Sequence, residues 1–303
     1  MNYWIIIGEG GGYEEVKKLR SASPIQNETN EDPNALNRRV LLQDDITFTV
    51  GGGETPRVFV NGQPAEAPDV FLLWGHFNEQ QEGINDCLTR LGAKSVNPIE
   101  GKRIACSKLK TAAVLDGASI PQPKTMAVGR STDPALIEKE LGIPVVVKPS
   151  DGAQGEGVQL VKTREALEAL LKTLPEGSAN VTLAQEYISA SRGRDVRVTV
   201  IDHKFRFAII RMAGNPEEFR SNIHRGGHYA DYDLDPDTVA MCETISRLCD
   251  LRICGIDLLL TGDGYVVGEV NCTPGMPDEY TASEAFKTAM KEVIRSTLGQ
   301  EQG

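Results

Sequence analysis

The stretch Ile253-Cys254-Gly255-Ile256-Asp257-Leu258-Leu259-Leu260-Thr261-Gly262-Asp263-Gly264-Tyr265-Val266-Val267-Gly268-Glu269-Val270-Asn271 sets three polar side chains where hydrocarbon is expected. Two apolar runs flank a Gly- and Asp-containing turn, which reads as a β-hairpin. Asp257 interrupts the first run, and Glu269 and Asn271 mark the second. A carboxylate inside a strand needs a cation or strong hydrogen-bond donors. Glu269 and Asn271 are two residues apart and so share a face. With Asp263 at the centre of a three-residue turn, Asp257 stands opposite Glu269, since each is six residues from the centre. Like charges that close repel unless a cation lies between them. Hard oxygen donors without His or Cys suit magnesium. A two-residue turn would put the two acids on opposite faces. The metal reading therefore expects an odd-numbered turn. The rival reading is a pair of acids bridged to arginines.

Upstream, the chain supplies cations and glycines suited to phosphate. Lys148 ends the β-branched run Val145-Val146-Val147 and precedes Asp151-Gly152-Ala153-Gln154-Gly155-Glu156-Gly157. Glycines such as Gly155 and Gly157 let backbone N–H groups approach an anion closely, and such a loop can act as a lid. It is not a P-loop, because no Gly-Lys-Ser/Thr follows, and a plain hairpin turn is the alternative. Lys108 opens a helix expected over 106–116. Arg211, Arg220 and Arg225 crowd the loop after the Phe205 to Met212 run, with a solvated basic loop as the alternative. Three arginines so close in a chain of net charge -11 point to an anion site. His224 and His228 are four apart, but Gly226-Gly227 between them disfavours a helix, so a substrate contact is expected rather than zinc.

The surroundings are those of a multi-lobed globular protein. A length of 303 residues suits two or three lobes sharing a cleft. The net charge of -11 argues against non-specific binding to nucleic acid or to an anionic membrane. No run approaches the roughly 20 apolar residues of a bilayer span, and Met1 to Ile7 lacks the basic leader of a signal peptide. A cytoplasmic location is expected. The six cysteines form no C-x-x-C pair and read as buried, reduced and structural.

Tyr3 to Ile7 followed by Gly8-Glu9-Gly10-Gly11-Gly12 reads as a strand turning into a helix over Tyr13 to Arg20, the opening of a doubly wound α/β lobe. Residues 21–66 read as loops and short strands, Gln80 to Leu91 as a helix, and Pro98 to Arg103 as a linker. Leu183 to Ile188, Asp195 to Ile201 and Phe205 to Met212 read as strands, and 282–298 as a C-terminal helix.

Several motifs together resemble one family. They are Pro144 to Gly157, Gln185-Glu186-Tyr187-Ile188, Arg194-Asp195-Val196-Arg197, Phe219-Arg220-Ser221-Asn222-Ile223-His224-Arg225-Gly226-Gly227, Gly255-Ile256-Asp257 and Glu269-Val270-Asn271-Cys272-Thr273-Pro274-Gly275. In this order they resemble ATP-grasp ligases, and the Phe219 to Gly227 string resembles the RimK-type branch. The resemblance covers about residues 97–295.

It implies an ATP-grasp fold with an N-terminal doubly wound α/β domain over 1–98. A central lobe with the glycine-rich loop would span 99–184, and a C-terminal lobe with the metal site 185–303. Lys108 and Lys148 would meet the nucleotide phosphates, with Gly155 and Gly157 in the loop closing over them. Glu186, Tyr187 and Ile188 would surround adenine, and Asp195 would lie near the ribose. Arg220, Ser221 and Asn222 would sit by the phosphates and the acyl group. His224, Arg225, Gly226 and Gly227 would touch substrate. Asp257, Glu269 and Asn271 would hold two Mg2+ ions, with Mn2+ as a substitute. Lys148, Arg211 and Arg220 would be catalytic, neutralising charge while a carboxylate becomes an acyl phosphate that an amine then displaces.

The implied partners are a carboxylate substrate and an amine acceptor, which could be an amino acid, a peptide or a protein tail. A homodimer or homotetramer is also expected. A D-alanine-type or amino-group-carrier ligase, or a non-catalytic nucleotide-binding protein, are the rival readings. Two departures matter. Ser107 stands where the family usually has Asp, and residues 21–66 do not resemble the ribosomal-protein ligase of the branch.

Overall fold

A computed structural model describes residues 1–10, 12, 14, 36–151, 155–176, 180–215 and 227–299. The N-terminal lobe is built on β1 (Asn2–Ile7) and β2 (Asn37–Leu42). A small antiparallel sheet of β3 (Ile46–Thr49), β4 (Arg57–Val60) and β5 (Gln63–Ala65) follows. Then come β6 (Val70–Trp74), α1 (Glu79–Arg90) and β7 (Lys94–Ser95). The main sheet has the order β2-β1-β6-β7, all parallel, with chain order reversing between β1 and β6. This is the doubly wound arrangement expected from the strand–glycine opening. The helix expected over Tyr13 to Arg20 falls almost wholly outside the described residues. Asn61 and Gly62, both with positive φ (51° and 74°), turn β4 into β5. Such an Asn-Gly pair is the standard two-residue hairpin turn.

The expected linker over Pro98 to Arg103 is instead helix α2 (Ile99–Ala105), which runs on to α3 (Lys108–Gly117). Its reason is packing. Gly101 lies against the backbone of Cys249 and Asp250, where any Cβ would clash at 2.3 Å, and Lys102 is fully buried with its ammonium on the Leu73 carbonyl at 2.9 Å. Lys102 is held below its ordinary pKa by that burial. The central lobe comprises β8 (Thr125–Val128), α4 (Pro134–Leu141), β9 (Val145–Pro149), β10 (Gln159–Val161), α5 (Arg164–Thr173) and β11 (Thr182–Glu186). Its antiparallel sheet has the order β10-β9-β11-β8.

The C-terminal lobe contains β12 (Arg194–Ile201), β13 (Lys204–Met212), β14 (His228–Asp231), α6 (Pro236–Leu248), β15 (Ile253–Leu260), β16 (Tyr265–Asn271), α7 (Asp278–Ala282) and α8 (Glu284–Thr297). Its sheet has the order β14-β13-β12-β15-β16, antiparallel throughout. Ala105 and Leu115 pack into this lobe's core beside Val198, Ile245 and Leu258. A further cluster joins Val70, Leu72 and Val96 of the N-terminal lobe to Ile201, Ile253, Val293 and Ile294. The central lobe keeps a core of its own around Ile137, Val145, Leu167 and Ala184.

Candidate functional site

One face of the C-terminal sheet gathers the charged residues. Across β12 and β13, Asp195 pairs with Arg211; across β12 and β15, Arg197 pairs with Asp257; across β15 and β16, Asp257 pairs with Glu269 and Gly255 with Asn271. Directly paired residues share a face, so Arg211, Asp195, Arg197, Asp257, Glu269 and Asn271 form one polar field above a hydrocarbon core.

The expected opposition of Asp257 and Glu269 is present, but the turn that produces it differs from the odd-numbered one expected. Leu260 pairs with Tyr265, leaving the four residues Thr261 to Gly264 in the turn. In that register Asp257 would face Gly268. A one-residue bulge falls between the Asp257–Glu269 and Leu258–Val267 pairs, and the extra residue is Gly268. There the Leu259 side chain comes within 3.0 Å of where a Cβ would stand.

Asp257, 6% exposed, accepts from Arg197 Nε and Nη2 at 2.7 Å each, and an ion pair to Arg211 Nη2 lies at 2.9 Å. The Asn271 amide is 3.4 Å from the same carboxylate. The arginine-bridged reading of Asp257 thus describes its contacts in this structure. Burial pushes the Asp257 carboxyl up, but the two guanidiniums outweigh it and hold it below the ordinary carboxylate range. Arg211 also donates from Nε to Asp195 at 2.7 Å. Burial of Arg211 is offset by Asp257 and Asp195, which together raise its pKa.

Glu269 is met by Lys108 Nζ at 3.1 Å. Lys108 is the first residue of α3, whose N-cap is Ser107: the hydroxyl accepts from the Lys110 N–H at 3.3 Å. Serine therefore caps the helix as an aspartate would. Lys148 reaches the field from β9, 9% exposed, donating to Gln185 Oε1 at 2.7 Å. Burial, outweighing the attraction of Glu269 and joined by repulsion from Lys108, lowers Lys148 to about 8.

These groups line a cleft of about 180 Å3 between the central and C-terminal sheets, together with Gly155, Glu156, Glu186, Tyr187 and Ile188. Gly155 and Gly157 both have positive φ (73° and 67°), and residues 152–154 lie outside the described set. Glu186 is tied to Lys124 by its backbone N–H at 2.9 Å and its carboxylate at 3.3 Å. Arg220, Ser221, Asn222, His224, Arg225 and Gly226 lie outside the described residues. Gly227 is half-buried just before β14, where Met212 pairs with His228 and Arg211 with Tyr229.

Arg197 and Gln185 stand in the motifs quoted above but carry no site role there, and Thr125 and the bulge residue Gly268 carry none either. An arginine alternating with Asp195 on a strand was the available signal for the first. Among the described residues no three His, Cys, Asp or Glu side chains gather into a metal-binding group. Two acids and an amide leave the rest of a coordination shell to water and phosphate, which is how magnesium is commonly held beside nucleotides. The donors thus fit that ion.

The model of the RimK-like ATP-grasp domain matches residues 105–294. The chain belongs to the RimK-like ATP-grasp family. Among curated proteins it is 37% identical to "Probable alpha-L-glutamate ligase 2" of Shewanella frigidimarina over 187 residues, 61% of this chain and 62% of that one. The match thus spans under two thirds of that relative's length.

Among solved structures, the D-alanine–D-alanine ligase of Bacillus anthracis complexed with ATP superposes with a TM-score of 0.68 at 18% identity, covering 99% of this chain and 97% of that one. The ATP-grasp ligase PsnB, complexed with a phosphomimetic variant of its minimal precursor, Mg and ADP, gives a TM-score of 0.64 at 18% identity, covering 97% and 98%. At such identities the likeness shows the fold, and the fold is ATP-grasp. The described residues include no helix long and apolar enough to cross a membrane.

Proposed function

We propose that this RimK-like chain is an ATP-dependent carboxylate–amine ligase. It joins an amino acid such as glutamate to a peptide, protein or small-molecule acceptor and releases ADP and phosphate. The observation that carries this reading is the cleft where Lys148 and Lys108 from one side meet Asp257, Glu269 and Arg211 on the other. Similarity to a glutamate ligase supports the choice of amino acid.

The chemical difficulty is a carboxylate attacking a polyphosphate, one anion approaching another. Lys108 and Lys148 are placed to draw in the phosphates. Arg211, buried and held charged by Asp195 and Asp257, is placed to offset charge that develops on the transferring phosphoryl group. Asp257, Glu269 and Asn271 would hold Mg2+, in two ions and replaceable by Mn2+, whose chemistry is to neutralise phosphate oxygens. The glycine-rich loop that carries Gly155 and Gly157 would cover the nucleotide and keep water from the acyl phosphate. Glu186, Tyr187 and Ile188 line the cleft where the base would lie, and Asp195 would face the ribose. Arg220, Ser221 and Asn222 are assigned to the acyl phosphate, and His224 to Gly227 to the substrate. No protein nucleophile is required.

The test is phosphate release screened over amino acids with peptide and small-molecule acceptors, with products identified by mass. ADP together with an amide product is expected. AMP, or a phosphate ester in place of an amide, would overturn the reading.

A further inference from the structure

Three side chains from three neighbouring strands form a line across the cleft face of the central sheet. Thr125 on β8 pairs directly with Gln185 on β11, and Lys148 on β9 pairs with Leu183, so Lys148 and Gln185 are diagonal neighbours on one face. Lys148 Nζ donates to Gln185 Oε1 at 2.7 Å, Gln185 Nε2 donates to Thr125 Oγ1 at 2.9 Å, and Thr125 Oγ1 donates to the Pro123 carbonyl at 3.0 Å.

The directions follow from what each atom can do. The Pro123 carbonyl only accepts, so the single hydroxyl proton of Thr125 is spent on it. Thr125 Oγ1 then has only lone pairs to offer along the sheet. The Gln185 group facing it must be the NH2, which leaves the amide oxygen facing Lys148. An ammonium has three donors and no acceptor. An amide turned the other way would set its oxygen against the lone pairs of Thr125 and its NH2 against the Lys148 ammonium.

We propose that Thr125 is a positioning residue for Lys148, its hydroxyl locking the Gln185 amide so that a neutral oxygen holds the ammonium at the cleft wall. Neutrality is the point of this partner. A carboxylate at 185 would cancel the charge that a phosphate needs, whereas an amide oxygen fixes direction and leaves the full charge in place. Burial works against that charge, lowering Lys148 to about 8, so the loss of an acceptor held at 2.7 Å would be felt. This rests on the reading above in which Lys148 meets nucleotide phosphates.

The experiment is a double-mutant cycle on the full chain, read as the Kd for ATP with Mg2+ by calorimetry, on Thr125→Val, Thr125→Ser, Lys148→Met and Thr125→Val/Lys148→Met. Valine keeps the shape of threonine and removes the hydroxyl. Thr125→Val is expected to weaken binding about tenfold, roughly one charge-assisted hydrogen bond. Thr125→Ser should restore it to within about twofold, and on the Lys148→Met background Thr125→Val should change nothing further. If Thr125→Val does not fold, Thr125→Ala enters the same cycle. Wild-type binding by Thr125→Val, failure of serine to rescue, or an equal loss with and without Lys148 would overturn the positioning role while Lys148 kept its own. Unchanged binding in Lys148→Met would overturn the phosphate role of Lys148, and the positioning role with it.

Discussion

At the scale of the residue, the two acids of the hairpin have different surroundings and should fail differently. Asp257 is sealed between Arg197 and Arg211. Replacing it leaves the buried Arg211 and the partly buried Arg197 short of a charge, so Asp257→Asn should lose both turnover and about 3 kcal/mol of stability in denaturant melts. The two arginines are the reason the fold should feel the loss. Glu269, with a third of its side chain exposed and paired with Lys108, is the cleaner probe. Glu269→Gln should abolish phosphate release and leave the melt within about 0.5 kcal/mol.

Lys148 supplies a pH signature. It sits at about 8 in the folded chain against an ordinary 10.5. Between those values the unfolded chain holds the proton and the folded one does not, so its contribution to stability rises with pH across that window. Nucleotide binding runs the other way. The phosphates need the ammonium, so affinity for ATP should fall as pH rises through about 8. The slope should be absent from Lys148→Met, measured by the same titration from pH 7 to 9.5.

At the scale of the element, the hairpin shows how far strand arithmetic reaches. The face shared by Glu269 and Asn271 follows from the period of two, whereas the opposition of Asp257 and Glu269, expected from a three-residue turn, comes from a four-residue turn and a bulge at Gly268. Which residue absorbs the odd count did not follow. A turn and a bulge shift register equally, and only packing of Leu259 against Gly268 distinguishes them. The segment read as a linker is the reverse case. Its helix α2 exists because Gly101 and Lys102 are buried against the other lobes, and no local periodicity announces that. The Asn61-Gly62 turn, in contrast, is legible in the dipeptide itself, inside a stretch expected to hold loops and short strands.

Helix α3 carries a prediction of its own. Ser107→Ala removes the cap in front of Lys108 and should cost about 1 kcal/mol and weaken ATP binding. Ser107→Asp should match or exceed the wild type in both, since an anionic cap also suits the helix dipole.

At the scale of the whole molecule, the cores divide unevenly. The N-terminal sheet and the C-terminal lobe share the cluster around Val70, Ile253 and Val293, while the central lobe packs on itself. Ile253→Ala and Ile137→Ala each empty a fully buried site and should each cost about 3 kcal/mol. By hydrogen exchange, the first should speed opening in β1, β6, β12 and β15 together. The second should confine its effect to β8 through β11. Such a division suits a lobe that moves over a fixed base, with the cleft between them.

The sequence by itself determined the ordered set of motifs, the strand character of the segments that carry them, and the chemistry of a hard-oxygen and lysine site. All of these reside in residue types and short spacings. Tertiary structure alone decided that Arg197 and Arg211 converge on Asp257, that Lys108 reaches Glu269, and that Thr125 and Gln185 stand behind Lys148. Those contacts join residues 37 to 161 positions apart, from Lys148 and Gln185 to Lys108 and Glu269. No local period encodes which strand lies beside which. That is settled by which packing buries the apolar faces while leaving every buried charge a partner.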